Sequence, residues 1–107
     1  MTTYQALHTS DAIYPFRLYP ETTDFSRIGG LYCFLIVPEE SSFYSLLYIG
    51  ITNNLDRRMK NHHKIGDARG LGLTHIGVLK IRSGRRRKVI EKDLLRSLHP
   101  PLNDTHQ

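Results

Sequence analysis

Two tyrosine-containing triplets restrict the possible folds of this chain more than any other feature. Gly30-Leu31-Tyr32 opens one apolar run, and Tyr48-Ile49-Gly50 closes the next. The first run is rich in branched and aromatic residues and ends before Pro38, which has no backbone N–H for a sheet ladder. We therefore predict two strands, 31–37 and 45–49, paired as an antiparallel β-hairpin with both phenols near its open end.

The two phenols are a weak functional signal by themselves. Tyrosines are common in half-buried strands, so Tyr32 and Tyr48 taken alone favour sheet packing over a shared active site. Side chains alternate across a strand, and Tyr32 therefore shares a face with Phe34 and Ile36. Whether Tyr48 lies on that face depends on the hairpin register, which the sequence leaves open.

The rest of the chain predicts an α+β fold around this hairpin. Residues 1–29 have no clear period, and their prolines favour an extended strap packed by its aromatics; a substrate-contacting arm carrying Arg17 is the alternative. Then come a short helix, an irregular glycine-rich connection with or without one helical turn, a third strand and a long helix. Their predicted bounds are 55–63, 66–72, 73–81 and 85–98.

Length and composition are those of one small domain. A chain of 107 residues supports a single modest core. No apolar stretch reaches transmembrane length and the N-terminus has no signal-peptide pattern, so we expect a cytoplasmic protein with no membrane partner. The one cysteine, Cys33, lies mid-strand, where we expect a small buried apolar role in a reducing compartment.

Positive charge is concentrated in the C-terminal half. Residues 1–56 hold two basic and six acidic residues, whereas residues 57–107 hold thirteen basic and four acidic ones. This asymmetry is typical of chains that bind a polyanion such as nucleic acid, although a solvated basic face gives the same pattern. The run from Arg85 to Lys88 opens the last helix, where the helix dipole disfavours cations unless an anion is near.

One carboxylate breaks the apolar pattern of the last helix. At about 100° per residue, Glu91 falls inside the apolar arc that runs from Ile90 through Leu94 and Leu98 to Leu95. A carboxylate is costly to bury unless it is paired, hydrogen-bonded or bound to a metal ion. Two explanations stay open: an internal ion pair with Arg87, one turn earlier, or a ligand or catalytic role.

The short helix places two cationic or titratable groups on the side that docks on the sheet. Arg58 and His62 are four residues apart, close enough on a helix to address one ligand. The guanidinium fork of an arginine matches a phosphate. The alternatives are that Arg58 extends its charged head to solvent and that His62 is an ordinary surface residue.

Taken together, these residues resemble the GIY-YIG nuclease superfamily. Its first triplet corresponds to Gly30-Leu31-Tyr32, with Leu in place of the usual central Ile, and its second is the unaltered Tyr48-Ile49-Gly50. The family's helical arginine, helical histidine, metal-binding glutamate and terminal asparagine fall on Arg58, His62, Glu91 and Asn103. The resemblance covers residues 30–103.

The resemblance implies a fold and a chemistry. The fold is a three-stranded antiparallel sheet flanked by helices, in a nuclease domain at 30–107 that follows an N-terminal extension at 1–29. The chemistry is hydrolysis of a nucleic-acid phosphodiester with one divalent cation, Mg²⁺ or Mn²⁺, held by Glu91.

Each matched residue acquires an expected role from the family. Arg58 would bind the scissile phosphate, Tyr32 would orient or deprotonate the attacking water, and His62 would take the phenol's proton. Tyr48 would position water or phosphate by hydrogen bonding, and Asn103 would fix the geometry of the site through its amide.

We therefore expect a metal-dependent endonuclease whose partner is nucleic acid, with DNA the expected substrate and RNA open. A catalytically silent nucleic-acid-binding module of the same fold is the alternative, and a protein-interaction role rests only on the N-terminal strap. The complete set of site residues argues for the enzyme. The residues expected to contact nucleic acid outside the catalytic set are Arg57, Lys60, Arg85, Arg86 and Lys88.

Overall fold

The fold is built on one antiparallel sheet. The computed structural model describes residues 3–40 and 43–103. The strands are β1 (Tyr4–His8), β2 (Ile13–Pro20), β3 (Gly30–Ile36), β4 (Ser45–Thr52) and β5 (His75–Lys80), and the helices are α1 (Leu55–Lys60), α2 (Ile65–Leu71) and α3 (Gly84–Leu98). The order across the sheet is β1-β2-β5-β3-β4, and every neighbouring pair is antiparallel.

The predicted hairpin, third strand and helices are confirmed as elements, but α1 ends at Lys60 rather than at residue 63. His62 therefore lies after the helix and not on it, because the chain leaves the helix at Asn61. β3 and β4 form the expected hairpin, and its turn contains residues 41 and 42, which lie outside the described residues. The side chain of Asn54 accepts a hydrogen bond from Arg57 N and so caps α1, and Ser83 caps α3 in the same way. The glycine-rich connection contains α2, which ends at Gly72 in the left-handed conformation.

The sheet has five strands rather than the three that the resemblance implies. The N-terminal segment is extended, as expected, but it folds into the hairpin β1–β2 and pairs through β2 with β5. The sequence of β2 has the alternation of a strand, because Phe16 is buried whereas Pro15 and Arg17 are exposed. The pairing was not predicted, because β2 contains prolines and because β5 is far from β2 in the chain.

Separate apolar layers cover the two faces of the sheet. Leu31 and Cys33 of β3 pack with Ile90 and Leu94 of α3 on one face. Tyr32 of β3 packs on the other face, in the layer that includes residues of α1 and α2. β3 is therefore buried on both sides, which is why its sequence is a continuous apolar run rather than an alternating one.

The N-terminal hairpin is anchored to α3 by a buried carboxylate. Asp93 accepts hydrogen bonds from the hydroxyls of Thr9 and Tyr14, each at 2.9 Å. Two charge-assisted bonds satisfy a carboxylate that would otherwise be costly to bury. The same helix that carries Glu91 thus holds the added strands in place.

The sequence predicts a buried Cys33 and no apolar stretch of transmembrane length. Cys33 is buried and free, as predicted. No helix in the described part of the chain is long and apolar enough to span a bilayer.

Candidate functional site

The centre of the site is the hydroxyl of Tyr32. The Tyr32 side chain is completely buried, and its oxygen lies 2.7 Å from Nε2 of His62. Nε of Arg58 donates a hydrogen bond to the same oxygen at 3.1 Å. The first strand of the hairpin, α1 and the residues just after α1 therefore meet at one phenol oxygen.

Tyr48 lies on the same face as Tyr32, so the register question is resolved. Tyr48 is the direct cross-strand partner of Phe34, which shares the Tyr32 face. The rings of Tyr32 and Tyr48 are stacked with centroids 6.1 Å apart. Tyr48 also contacts the edge of the His62 ring at 4.9 Å between centroids. The two phenols and the imidazole form one aromatic cluster.

Gly50 makes room for the Tyr32 phenol. It is the cross-strand partner of Tyr32, and a Cβ atom built on Gly50 would collide with the Tyr32 hydroxyl. Any other residue at the end of the second triplet would push the hydroxyl away from His62 and Arg58. The glycine of this triplet is therefore part of the site, although it contributes no functional group.

The surroundings of His62 decide which ring nitrogen carries its proton. The backbone N–H of Lys64 donates to Nδ1 of His62 at 3.0 Å, so Nδ1 is an acceptor. In a neutral imidazole the proton then lies on Nε2, which donates to the Tyr32 oxygen. His62 and Arg58 are both donors to Tyr32, and His62 is not arranged to receive the phenol's proton.

Burial and charge set the pKa values in this cluster. Burial raises the pKa of Tyr32 well above its usual value of 10.0, and the hydrogen bond from Arg58 opposes this increase. Burial, followed by the positive charge of Arg58, lowers the pKa of His62 to about 4. His62 is therefore neutral at physiological pH, which agrees with the Nε2–H tautomer.

The depressed pKa of His62 predicts acid sensitivity of the fold. Between pH 6.5 and about 4 the unfolded chain binds a proton at His62 that the folded chain does not bind, so stability falls as the pH falls. Each pKa unit is worth about 1.4 kcal/mol, so this residue accounts for at most about 3.5 kcal/mol. Urea unfolding at several pH values should show the loss.

His62→Gln is expected to flatten this pH dependence, whereas His8→Gln should leave it unchanged because His8 is exposed at the end of β1. An equally steep pH dependence in His62→Gln and the wild type would assign the acid sensitivity to other groups.

Glu91 is a half-buried carboxylate on α3. Among the residues that the structure describes, its carboxylate makes no hydrogen bond or ion pair, and burial raises its pKa. Nη1 of Arg87 instead donates to the backbone oxygens of Ile81 and Arg82, at 2.9 and 3.1 Å. The internal ion pair with Arg87 is therefore not formed. Glu91 also does not hydrogen-bond to Tyr32, His62 or Arg58.

The divalent cation that the resemblance implies fits Glu91 by its donor chemistry. Mg²⁺ is commonly bound through one or two carboxylates, with water and substrate phosphate as its other ligands. Within residues 3–40 and 43–103, no group of three or more His, Cys, Asp and Glu side chains lies together as a metal cluster. A site of this kind would thus take one or two protein ligands, and Glu91 can supply one of them.

Asn103 joins the segment after α3 to the edge of the sheet. Its Oδ1 accepts from the backbone N of Ile49 at 2.9 Å, and its Nδ2 donates to the backbone O of Ile49 at 2.8 Å. This pair of bonds continues the ladder of β4 beyond its open edge. Asn103 therefore holds the strand that carries Tyr48.

We expect Asn103→Ala to destabilise the protein by about 1–3 kcal/mol, because it leaves both half-buried backbone groups of Ile49 without partners. The midpoint of urea unfolding measures this loss. Asn61→Ala is the matched control, since the Asn61 amide makes one exposed bond to Arg57 O. Equal midpoints for the two variants would contradict the assigned role of Asn103.

The structure separates the basic residues into three groups. Arg57 and Arg58 line a cavity of ≈ 360 Å³ together with Asn53. Lys60 forms an ion pair with Asp56 at 2.7 Å, so its charge is already compensated. The remaining cations predicted to contact nucleic acid are exposed on the first turns of α3; they are Arg85, Arg86 and Lys88.

Sequence reasoning missed the residues that orient the predicted ones. Lys64 acts through its backbone N–H, and Phe34 contacts the edge of His62 with ring centroids 4.8 Å apart. Neither contact leaves a pattern in the sequence. Only Gly50 had a signal, since it belongs to the second triplet.

Comparison with protein families agrees with this geometry. The family model for the GIY-YIG catalytic domain matches residues 31–89, more than half of the chain. The match includes Tyr32, Tyr48, Arg58 and His62, whereas Glu91 and Asn103 lie beyond its end. No curated protein and no solved structure matches the chain. The family implies a nuclease-type function. The chain belongs to the GIY-YIG catalytic domain family.

Proposed function

We propose that this protein is a metal-dependent endonuclease that hydrolyses phosphodiester bonds, with DNA as its substrate. The observation that carries the proposal is the buried Tyr32 hydroxyl, which accepts hydrogen bonds from both His62 and Arg58. A phenol oxygen that faces two donors is arranged to become a phenolate, which is a base. A sheet residue that only packed would need neither donor.

Arg58 binds the scissile phosphate in this proposal. It lines the open cavity of ≈ 360 Å³, and a guanidinium has five N–H donors. Nε is bonded to Tyr32 and the guanidinium also hydrogen-bonds to the Tyr48 side chain, so its other donors are the ones available for phosphate oxygens. The positive charge stabilises the charge that develops during attack. Arg57, which lines the same cavity, contributes to holding the strand.

Tyr32 is the proposed general base. Its raised pKa means that it carries a proton at neutral pH, so it acts as a base only after hydroxide from solvent has taken this proton and left as water. Nε2–H of His62 and Nε–H of Arg58 lower the cost of the phenolate by donating to its oxygen. His62 therefore stabilises the base rather than accepting its proton. Tyr48, stacked on Tyr32, positions the water or phosphate.

Glu91 is the proposed ligand of the divalent cation, Mg²⁺ or Mn²⁺. When bound, the cation supplies Lewis-acid stabilisation of the phosphate oxygens. The unpaired and partly desolvated carboxylate supports this assignment, because Glu91 has no other partner among the described residues.

A cleavage assay with an isotope readout tests the proposal. Single-stranded, duplex and branched DNA and matching RNA are incubated with the protein and Mg²⁺ or Mn²⁺ in H₂¹⁸O, with EDTA as the control. We expect metal-dependent cleavage with one ¹⁸O atom in each product phosphate, because water is the nucleophile. Salt-sensitive binding without cleavage of any substrate would instead favour the silent binding module.

A further inference from the structure

A second groove lies between β5 and the N-terminal hairpin, and the hairpin precedes the residues that the family model matches. β1, β2 and β5 enclose a cavity of ≈ 370 Å³ lined by Tyr4, Arg17, Tyr19 and Lys80. The Tyr4 side chain is 58% exposed. The guanidinium carbon of Arg17 lies 5.2 Å from the centre of the Tyr19 ring. The groove thus combines aromatic rings with positive charge.

The register of the sheet puts this groove on the face that carries Tyr32. Tyr4 pairs with Arg17, Arg17 with Val78, and Val78 with Tyr32, so the four residues form one row across the sheet. Directly paired residues point to the same face. Neighbouring strands are about 4.8 Å apart, so the backbones of Tyr4 and Tyr32 are separated by about 14 Å. A nucleic-acid strand rises about 3.4 Å per nucleotide in a duplex, so this separation corresponds to a few nucleotides.

A basic cavity connects the groove to the candidate catalytic site. This cavity of ≈ 480 Å³ shares Asn53 with the Arg58 cavity and Lys80 with the aromatic groove. Arg82 and Arg87 also line it. Within the described residues, neither Lys80 nor Arg82 forms an ion pair. The three cavities therefore form a continuous positively charged path from Arg58 to Tyr4.

We propose that this path binds the substrate strand next to the scissile phosphate, and that an unpaired base stacks on Tyr4 in the hairpin groove. The inference rests on the proposed nuclease function and specifies its substrate as single-stranded or splayed nucleic acid. Bases inside a duplex are stacked on each other and do not offer a free face, whereas aromatic rings beside a basic groove bind unpaired bases in any sequence. Charge complementarity and continuity with the Arg58 cavity argue for this occupant.

Binding to a cleavage-deficient chain separates this inference from the proposed activity. The full chain carrying Glu91→Gln is titrated in EDTA with single-stranded, splayed and fully paired DNA that contain 2-aminopurine, and anisotropy and 2-aminopurine quenching are recorded. Tyr4→Ala, Tyr4→Phe and Arg17→Ala are added to this background. The matched controls are Ile13→Ala, an exposed apolar residue of the same hairpin outside the groove, and Arg96→Ala, an exposed cation at the far end of α3.

We expect Tyr4→Ala to weaken binding of the single strand about tenfold, the loss typical of one base–aromatic stack, and to abolish the quenching. Tyr4→Phe should restore both, since it keeps the ring. Arg17→Ala should weaken binding and reduce its salt dependence, whereas Ile13→Ala and Arg96→Ala should bind as the parent does.

Three results would overturn the inference: an unchanged affinity in Tyr4→Ala, equal losses for single-stranded and fully paired DNA, or failure of Tyr4→Phe to restore binding. Each can occur in a protein that still cleaves DNA, and then only the hairpin groove is rejected. If the wild type neither binds nor cleaves nucleic acid, both the hairpin groove and the proposed function are rejected.

Discussion

Glu91→Gln is expected to lower the cleavage rate by about 10³-fold, because a divalent cation contributes several kcal/mol to transition-state stabilisation and each 1.4 kcal/mol is worth a factor of ten. Glutamine keeps the size of the side chain but removes the negative charge that would attract the cation. Binding of nucleic acid in EDTA should persist, since the cationic residues are unchanged. Single-turnover cleavage with increasing Mn²⁺ measures the effect on rate and on apparent metal affinity.

Glu39→Gln is the matched control, because Glu39 is an exposed glutamate after β3 and away from α3. It should cleave at the wild-type rate. Wild-type cleavage and unaltered metal dependence in Glu91→Gln would remove this residue from the site and reopen the identity of the metal ligand.

Tyr32→Phe is expected to reduce the rate by about 10²–10⁴-fold, the range typical of losing a general base. Phenylalanine retains the buried ring, so the aromatic cluster and the hairpin should remain folded. The change leaves Nε2–H of His62 without its acceptor, which costs about 1–3 kcal/mol of stability. Cleavage rates are compared under conditions in which unfolding measurements show that both proteins are native.

Tyr44→Phe serves as the control for this variant, since Tyr44 is a partly buried phenol packed in the layer on the α3 face of the sheet. Its loss of a hydroxyl should leave the rate unchanged. If Tyr32→Phe retains full activity, the base must be another group, and Tyr48 is the nearest alternative in the cluster.

The chain sequence was enough to locate the elements and most of the functional side chains. The apolar runs, cap residues and prolines gave β3, β4, β5, α1 and α3 within a few residues, because these signals are local. Local signals do not report which distant segments pair, and this explains why part of the sheet was not predicted. The pairing of β2 with β5 joins segments that are far apart in the chain, and the alternation of β2 was obscured by its prolines.

The candidate site likewise has residues that the sequence identifies and contacts that only the tertiary structure shows. The family triplets, Arg58 and His62 are recognisable by their order along the chain, and structure then adds their convergence on a single oxygen. The family resemblance implied that His62 would accept the proton of Tyr32. The direction of that hydrogen bond is instead set by the backbone N–H of Lys64, a contact that depends on how the chain turns after α1.

By itself, the sequence determined which chemical groups this protein has, which segments form β3, β4, β5, α1 and α3, and to which family it belongs. Only the tertiary structure decided that Tyr32 and Tyr48 share a face, because a shift of one residue in the β3–β4 register would have put them on opposite sides. It also decided the tautomer of His62, the unpaired state of Glu91 and the extension of the sheet by the N-terminal hairpin. These properties depend on contacts between distant segments, and side-chain spacing along a chain does not specify such contacts.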